Sequence, residues 1–250
     1  MMRISLLILL VLSCLSSEGF AQKPTHDPKA VALLKRAFDL EYSARRAGLS
    51  KASYEHSLSQ FPGVAIQVEW SAAKGVTSTF VFPEEISEQV RSRLSGALAS
   101  AVKSAADLVL GKAGMEAFAQ QSVELLAEDR VLIRKPRRDA EAAEETTTMA
   151  FGKTGLPEWV EFRGPDGMAR LALSYLSKGG QNFLHTVKSE HGAVSMVMTL
   201  SWQEVGAFHV LSEVVTESGS ARSTQKFGKF ELKSEESTTG PAKTPKIRAP

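Results

Sequence analysis

The chain has 250 residues, a formal net charge of +2 and one cysteine. This length does not force two domains, and the near-balance of 30 basic and 28 acidic residues supplies no dominant basic surface for nucleic acid. A single cysteine excludes an internal disulfide framework, so stability must come from an apolar core, which about 190 ordered residues can build.

Residues 1–21 read as a cleaved secretory signal. Arg3 forms a short positive region, Ile4 to Leu15 is an almost unbroken apolar run, and Gly19-Phe20-Ala21 places small residues where a signal peptidase reads. The apolar run is shorter than the roughly 20 residues that span a bilayer. Cys14 leaves a second reading open. It ends the run in Leu-Val-Leu-Ser-Cys, where a bacterial lipoprotein would be cut and lipidated. An exported chain without paired cysteines fits a periplasm, and a lipidated Cys14 would make it an outer-membrane lipoprotein instead. The one asparagine, Asn182, precedes Phe-Leu and forms no glycosylation sequon.

Residues 22–232 are expected to form one domain. Asp27-Pro28 supplies an N-cap and a first-turn proline. Val31, Leu34 and Phe38, with Leu33, Ala37 and Leu40, then repeat at helical spacing. These signals predict a helix over 28–47, ended by Gly48. Residues 51–60 are weakly patterned and could form a strand. Val64, Ile66, Val68 and Trp70 alternate with polar or small residues, Ala73-Lys74-Gly75 turns the chain, and Phe80 and Phe82 share a face on the return, which predicts a hairpin.

Pro83-Glu84-Glu85 opens a long helix over 84–118, with acids in its first turn and Gly111 and Gly114 as breakers. Its expected buried stripe is Ile86, Val90, Leu94, Ala97, Leu98, Ala101, Ala105, Leu108 and Val109. The middle, SGALASAVKSAA, is small in side chain, which suits close packing on a sheet or a cavity beneath the helix.

Two short strands are expected around Glu128-Asp129, then an exposed charged loop over 135–145. Further strands are expected at 146–152, 158–163, 168–176, 182–188, 193–202, 208–217 and 221–232, with Gly-Pro-Asp-Gly, Lys-Gly-Gly and Glu-His-Gly among the turns. Short connections make this an antiparallel meander. Charged residues such as Glu161, Arg163, Arg170 and Lys188 mark a solvated face. The tail, 233–250, is polar and proline-rich and reads as disordered.

Recognisable reaction chemistry is missing. His26, His56, His185, His191 and His209 show no metal-ligand spacing, and no GxSxG elbow, phosphate loop or dinucleotide fingerprint follows a strand. No catalytic residue, metal ligand or cofactor is assigned. A dispersed triad would be defined by geometry that the sequence does not display.

Two stretches carry a resemblance. LPEWVEFRGPDGMARLALSY has a Leu-Pro leading into a strand and then a turn with Asp-Gly, and LSWQEVGAFHVLSEVV has an aromatic and a Val-Gly before an alternating strand. With the order of elements over 28–232, the chain resembles the superfamily of periplasmic lipoprotein carriers of the LolA/LolB/RseB type. The resemblance implies an α+β fold in which a curved antiparallel β-sheet, a half-barrel, is wrapped around two main helices. It also implies an apolar cavity for acyl chains, and no arginine is carried over from the family's cavity.

Val160, Phe162, Ala169, Leu171, Leu173 and Tyr175 can lie on one face of the 156–176 hairpin. Trp70, Phe80, Phe82, Phe162, Leu171, Leu173, Tyr175, Met196 and Met198 are the expected apolar lining, with the two methionines adaptable to variable ligands. The same residues could simply fill a core. The expected partner is a lipid or acylated protein, or an envelope protein if the core is filled. No nucleic acid is expected, and membrane contact is expected only through a lipidated Cys14.

Overall fold

Alternation along the chain becomes one large sheet. The computed structural model describes residues 24–111, 115–135, 144–165, 167–191 and 194–234. Among them are helices α1 (Pro28–Leu40) and α2 (Glu88–Leu110), a 3₁₀ turn (Met115–Phe118) and twelve strands. The strands are β1 (Leu49–Leu58), β2 (Ala65–Ser71), β3 (Gly75–Val81), β4 (Ser122–Ala127), β5 (Arg130–Arg134), β6 (Thr146–Phe151), β7 (Pro157–Gly164), β8 (Gly167–Lys178), β9 (Gln181–His191), β10 (Val194–Val205), β11 (Phe208–Ser218) and β12 (Ala221–Ser234).

The sheet order is β3-β2-β1-β12-β11-β10-β9-β8-β7-β6-β5-β4, with antiparallel ladders throughout. The fold is α+β, as expected, and the sheet is open, with β3 and β4 at its edges. Residues 25–27 run beside β4, where the Asp27 N–H donates to Val123 O and the Val123 N–H to Thr25 O, each at 2.8 Å. The predicted signal peptide with Cys14, most of the charged loop and the tail from 235 lie outside the described residues.

Helix α1 begins as the sequence dictates. Asp27 accepts the N–H groups of Lys29 and Ala30 at 2.8 and 3.2 Å. It ends at Leu40, not near 47, because a distant strand competes for the chain. Asn182 donates its side-chain amide to Leu40 O at 3.0 Å, and its carbonyl accepts the Tyr42 N–H at 2.7 Å. The Arg46 guanidinium reaches back to the carbonyls of Phe38 and Glu41.

Helix α2 also starts later than expected. Residues 83–87 are irregular and are held by Arg91, which donates to the carbonyls of Ile86, Pro83 and Glu84. Burial begins only at Leu98 and continues through Val102, Ala105, Ala106, Val109 and Leu110. Val90, expected in the stripe, is 45 % exposed, and Ala97 is exposed. The first half of α2 therefore extends past the tightly packed core.

Two apolar clusters result. The smaller joins Ala30, Leu34 and Ala37 of α1 to Phe118, Val123, Val131, Ile133 and Phe151. The larger joins Val102, Ala105, Val109 and Leu110 of α2 to strands from both β1–β2 and β8–β12. Helix α2 makes its main contacts with β3 and β11, and α1 with β4 and β5.

Candidate functional site

The register gathers the predicted apolar residues. Ile66, Val68 and Trp70 of β2 stand opposite Phe80, Ser78 and Val76 of β3, and so share one face. On the other limb, Leu171 pairs with Val160 and Ser189, and Ser189 pairs with Met196. One residue pair along, Leu173 pairs with Val187, and Val187 with Met198. These rows cross β7–β10, and Phe162 extends the face opposite the small Ala169. Cross-strand neighbours of this kind sit close enough to act as one surface.

Trp70, Leu171, Met196 and Met198 are buried in the larger cluster, while Phe80, Phe82, Phe162 and Leu173 pack on it and stay partly exposed. Phe80 and Phe82 stack with centroids 6.1 Å apart. Tyr175 lies outside that cluster. A register shift between Ser174 and Tyr175 sets it opposite Leu184, where burial, reinforced by the Glu41 carboxylate, raises its phenol pKa. In the strand order, β7–β10 lie between the α2 contact at β11 and the α1 contact at β5.

Three buried polar atoms lack a protein partner among the described residues: Arg45 Nε, Tyr54 Oη and His56 Nδ1. Sequence reasoning missed all three residues as site candidates. Position 45 falls inside the helix expected over 28–47, and residues 51–60 are weakly patterned in sequence. The signal was the alternation of Ala52, Tyr54 and His56 with Ser53, Glu55 and Ser57, which turns the first three inward. His56 stacks on Phe227 at 4.6 Å and meets Gln225 Oε1 through Nε2 at 3.1 Å. Burial lowers its pKa to about 4, against a smaller opposing effect of Gln225.

The opposite side of the sheet is polar. An open depression of about 490 Å³ there includes Glu55, Glu213, Lys226 and Lys229, and its charges pair as Lys229–Glu55 at 2.8 Å and Lys226–Glu213 at 3.9 Å. Farther along, Arg163 pairs with Glu161 at 2.8 Å, and Arg170 lies 4.1 Å from the Trp159 ring centroid. Among the described residues, no group of three or more His, Cys, Asp or Glu side chains is arranged to hold a metal ion, and no helix is long and apolar enough to cross a membrane.

The arrangement sets apolar side chains on one face of the sheet and charged pairs on the other. No family model matches the chain, and neither a curated protein nor a solved structure does.

Proposed function

We propose that this chain is an exported, non-enzymatic binding protein that holds a lipid, or the acyl chain of a lipoprotein, between its sheet and its helices. The observation that carries this reading is the apolar face of β7–β10. It continues into the α2 core yet lies between the two main helix contacts, with Phe162 and Leu173 only partly covered. Binding there is burial without chemistry, and each methylene moved out of water contributes about 0.8 kcal/mol.

In this reading the sheet is the half-barrel of the lipoprotein-carrier type. Contact of the single helix α2 with both β3 and β11, four ladders apart in the strand order, supports that curvature. Loading shifts α2 away from the sheet. The protein works in the periplasm, or at the outer membrane if Cys14 is lipidated.

A second reading is an envelope interaction or sensor protein with a filled core. It is favoured by Trp70 at 8 %, Leu171 at 6 %, Met196 at 5 % and Met198 at 3 % exposure, values reached with protein atoms alone.

Mass spectrometry of the protein from its native envelope, first native and then denaturing, separates the two. A lipid-sized mass lost on denaturation is expected for the carrier. A bare chain that stays bare after incubation with envelope lipids favours the interaction protein. Leu173→Glu should abolish uptake. Uptake retained by a folded Leu173→Glu variant would overturn the lining.

A further inference from the structure

The core beneath α2 holds hydrogen-bond donors that the protein does not use. Tyr54 is 1 % exposed and packs between Phe227 and Phe230, with ring centroids 6.1 and 5.4 Å away. Its hydroxyl is unpartnered. The Arg45 guanidinium carbon lies 4.9 Å from the Trp70 ring centroid, and one terminal nitrogen donates to Asp107 Oδ1 at 2.7 Å. The Arg45 Nε–H is buried and unpartnered.

Both spare donors belong to side chains close to Trp70. In the β1–β2 ladder, Ala52 faces Trp70 and Tyr54 faces Val68, which makes Tyr54 and Trp70 diagonal neighbours on the inner face. Arg45 lies on Trp70, and both Arg45 and Asp107 act electrostatically on the Tyr54 phenol, which burial keeps protonated.

An unpaired buried donor is costly to folding, and here two lie close to the same Trp70 ring. Only an acceptor satisfies both. The charge of Arg45 is already balanced by Asp107, so an incoming anion would face a carboxylate. A neutral oxygen answers both donors without adding charge.

We propose that Tyr54 and Arg45 form a polar subsite for the ester or amide carbonyl of an acyl chain whose methylenes lie along the apolar face. The inference rests on the acyl-binding reading above and narrows it to esterified or amide-linked chains over free fatty acids.

Calorimetric titration of the full chain with methyl decanoate, decanoate and undecane tests it. The ester should bind about tenfold more tightly than the alkane, the worth of one or two net hydrogen bonds, and decanoate should gain no such advantage. Tyr54→Phe should bring the ester down to the alkane's affinity while leaving the melting midpoint unchanged or higher, since no bond within the protein is lost. Arg45→Lys keeps the charge, removes the Nε–H and should weaken ester binding in the same direction. Equal binding of ester and undecane overturns the subsite and leaves acyl binding standing. An ester preference that survives in Tyr54→Phe also overturns it. If none of the three probes binds, the subsite and the acyl-binding reading fall together.

Discussion

Gly111 lies directly against Ser43. A β-carbon added to Gly111 would come within 2.6 Å of the Ser43 Cα, and the glycine has φ +77° and ψ 154°, a conformation open only to glycine. The contact fixes the end of α2 to the 41–48 connection. Nearby, the Arg45 N–H donates to Leu110 O at 3.2 Å.

Gly111→Ala should therefore be among the costlier small substitutions. Backbone strain and the contact with Ser43 together predict a loss of about 2 kcal/mol or more. Chemical denaturation would read this as a lowered midpoint. An unchanged midpoint would show that the helix end moves freely.

His56 makes stability depend on pH. Its folded pKa of about 4 lies below the ordinary 6.5, so the unfolded chain binds the proton more readily between those values. Stability is then highest above pH 6.5 and falls as pH drops towards 4, by about 3 kcal/mol from this group. His56→Phe, which retains stacking on Phe227, should flatten that part of the profile. A wild-type midpoint constant from pH 7 to 4 would contradict the assignment.

Removing the Asp27 cap should weaken α1. Asp27→Ala loses acceptance from the Lys29 and Ala30 N–H groups and should cost about 1 kcal/mol. Asp27→Ser should recover much of this loss in the same denaturation assay.

The two apolar clusters should respond separately to cavities. Leu34 and Leu200 are each 1 % exposed, in the smaller and larger cluster respectively. Leu34→Ala and Leu200→Ala should each cost about 2–5 kcal/mol. Hydrogen exchange should locate the local loosening at β4–β6 in the first variant and at β10–β11 in the second. Uniform loosening in both would indicate one cooperative unit.

The strands were legible because alternation is local. The stretches expected at 168–176 and 208–217 appear as Gly167–Lys178 and Phe208–Ser218. The end of α1 was not legible, because its cause is remote. Nothing near Leu40 in sequence announces that Asn182 will take its carbonyl, whereas the start of α2 is displaced by one local side chain, Arg91, which takes the carbonyls of Pro83, Glu84 and Ile86. For the candidate site, apolar residues could be placed on faces, and the register then put Leu173 level with Met198 across β9. The part-buried Arg45, with its Nε enclosed, was beyond reach. A guanidinium at the end of a charged helix looks solvated until the chain turns it onto Trp70.

The pairing of β1 with β12 has a consequence for how the chain acquires its structure. Ser50 donates to the Lys233 carbonyl across 183 residues of sequence, and this seam lies inside the sheet, not at its rim. Closing so large a loop is entropically expensive and kinetically slow. The β1–β3 hairpins and the β4–β11 meander are each built from ladders between consecutive strands, which close far shorter loops. The final strand zips the two ladders into one sheet, so a chain cut short before Ala221 would leave two sheets joined only through the α2 core, each with an adhesive border.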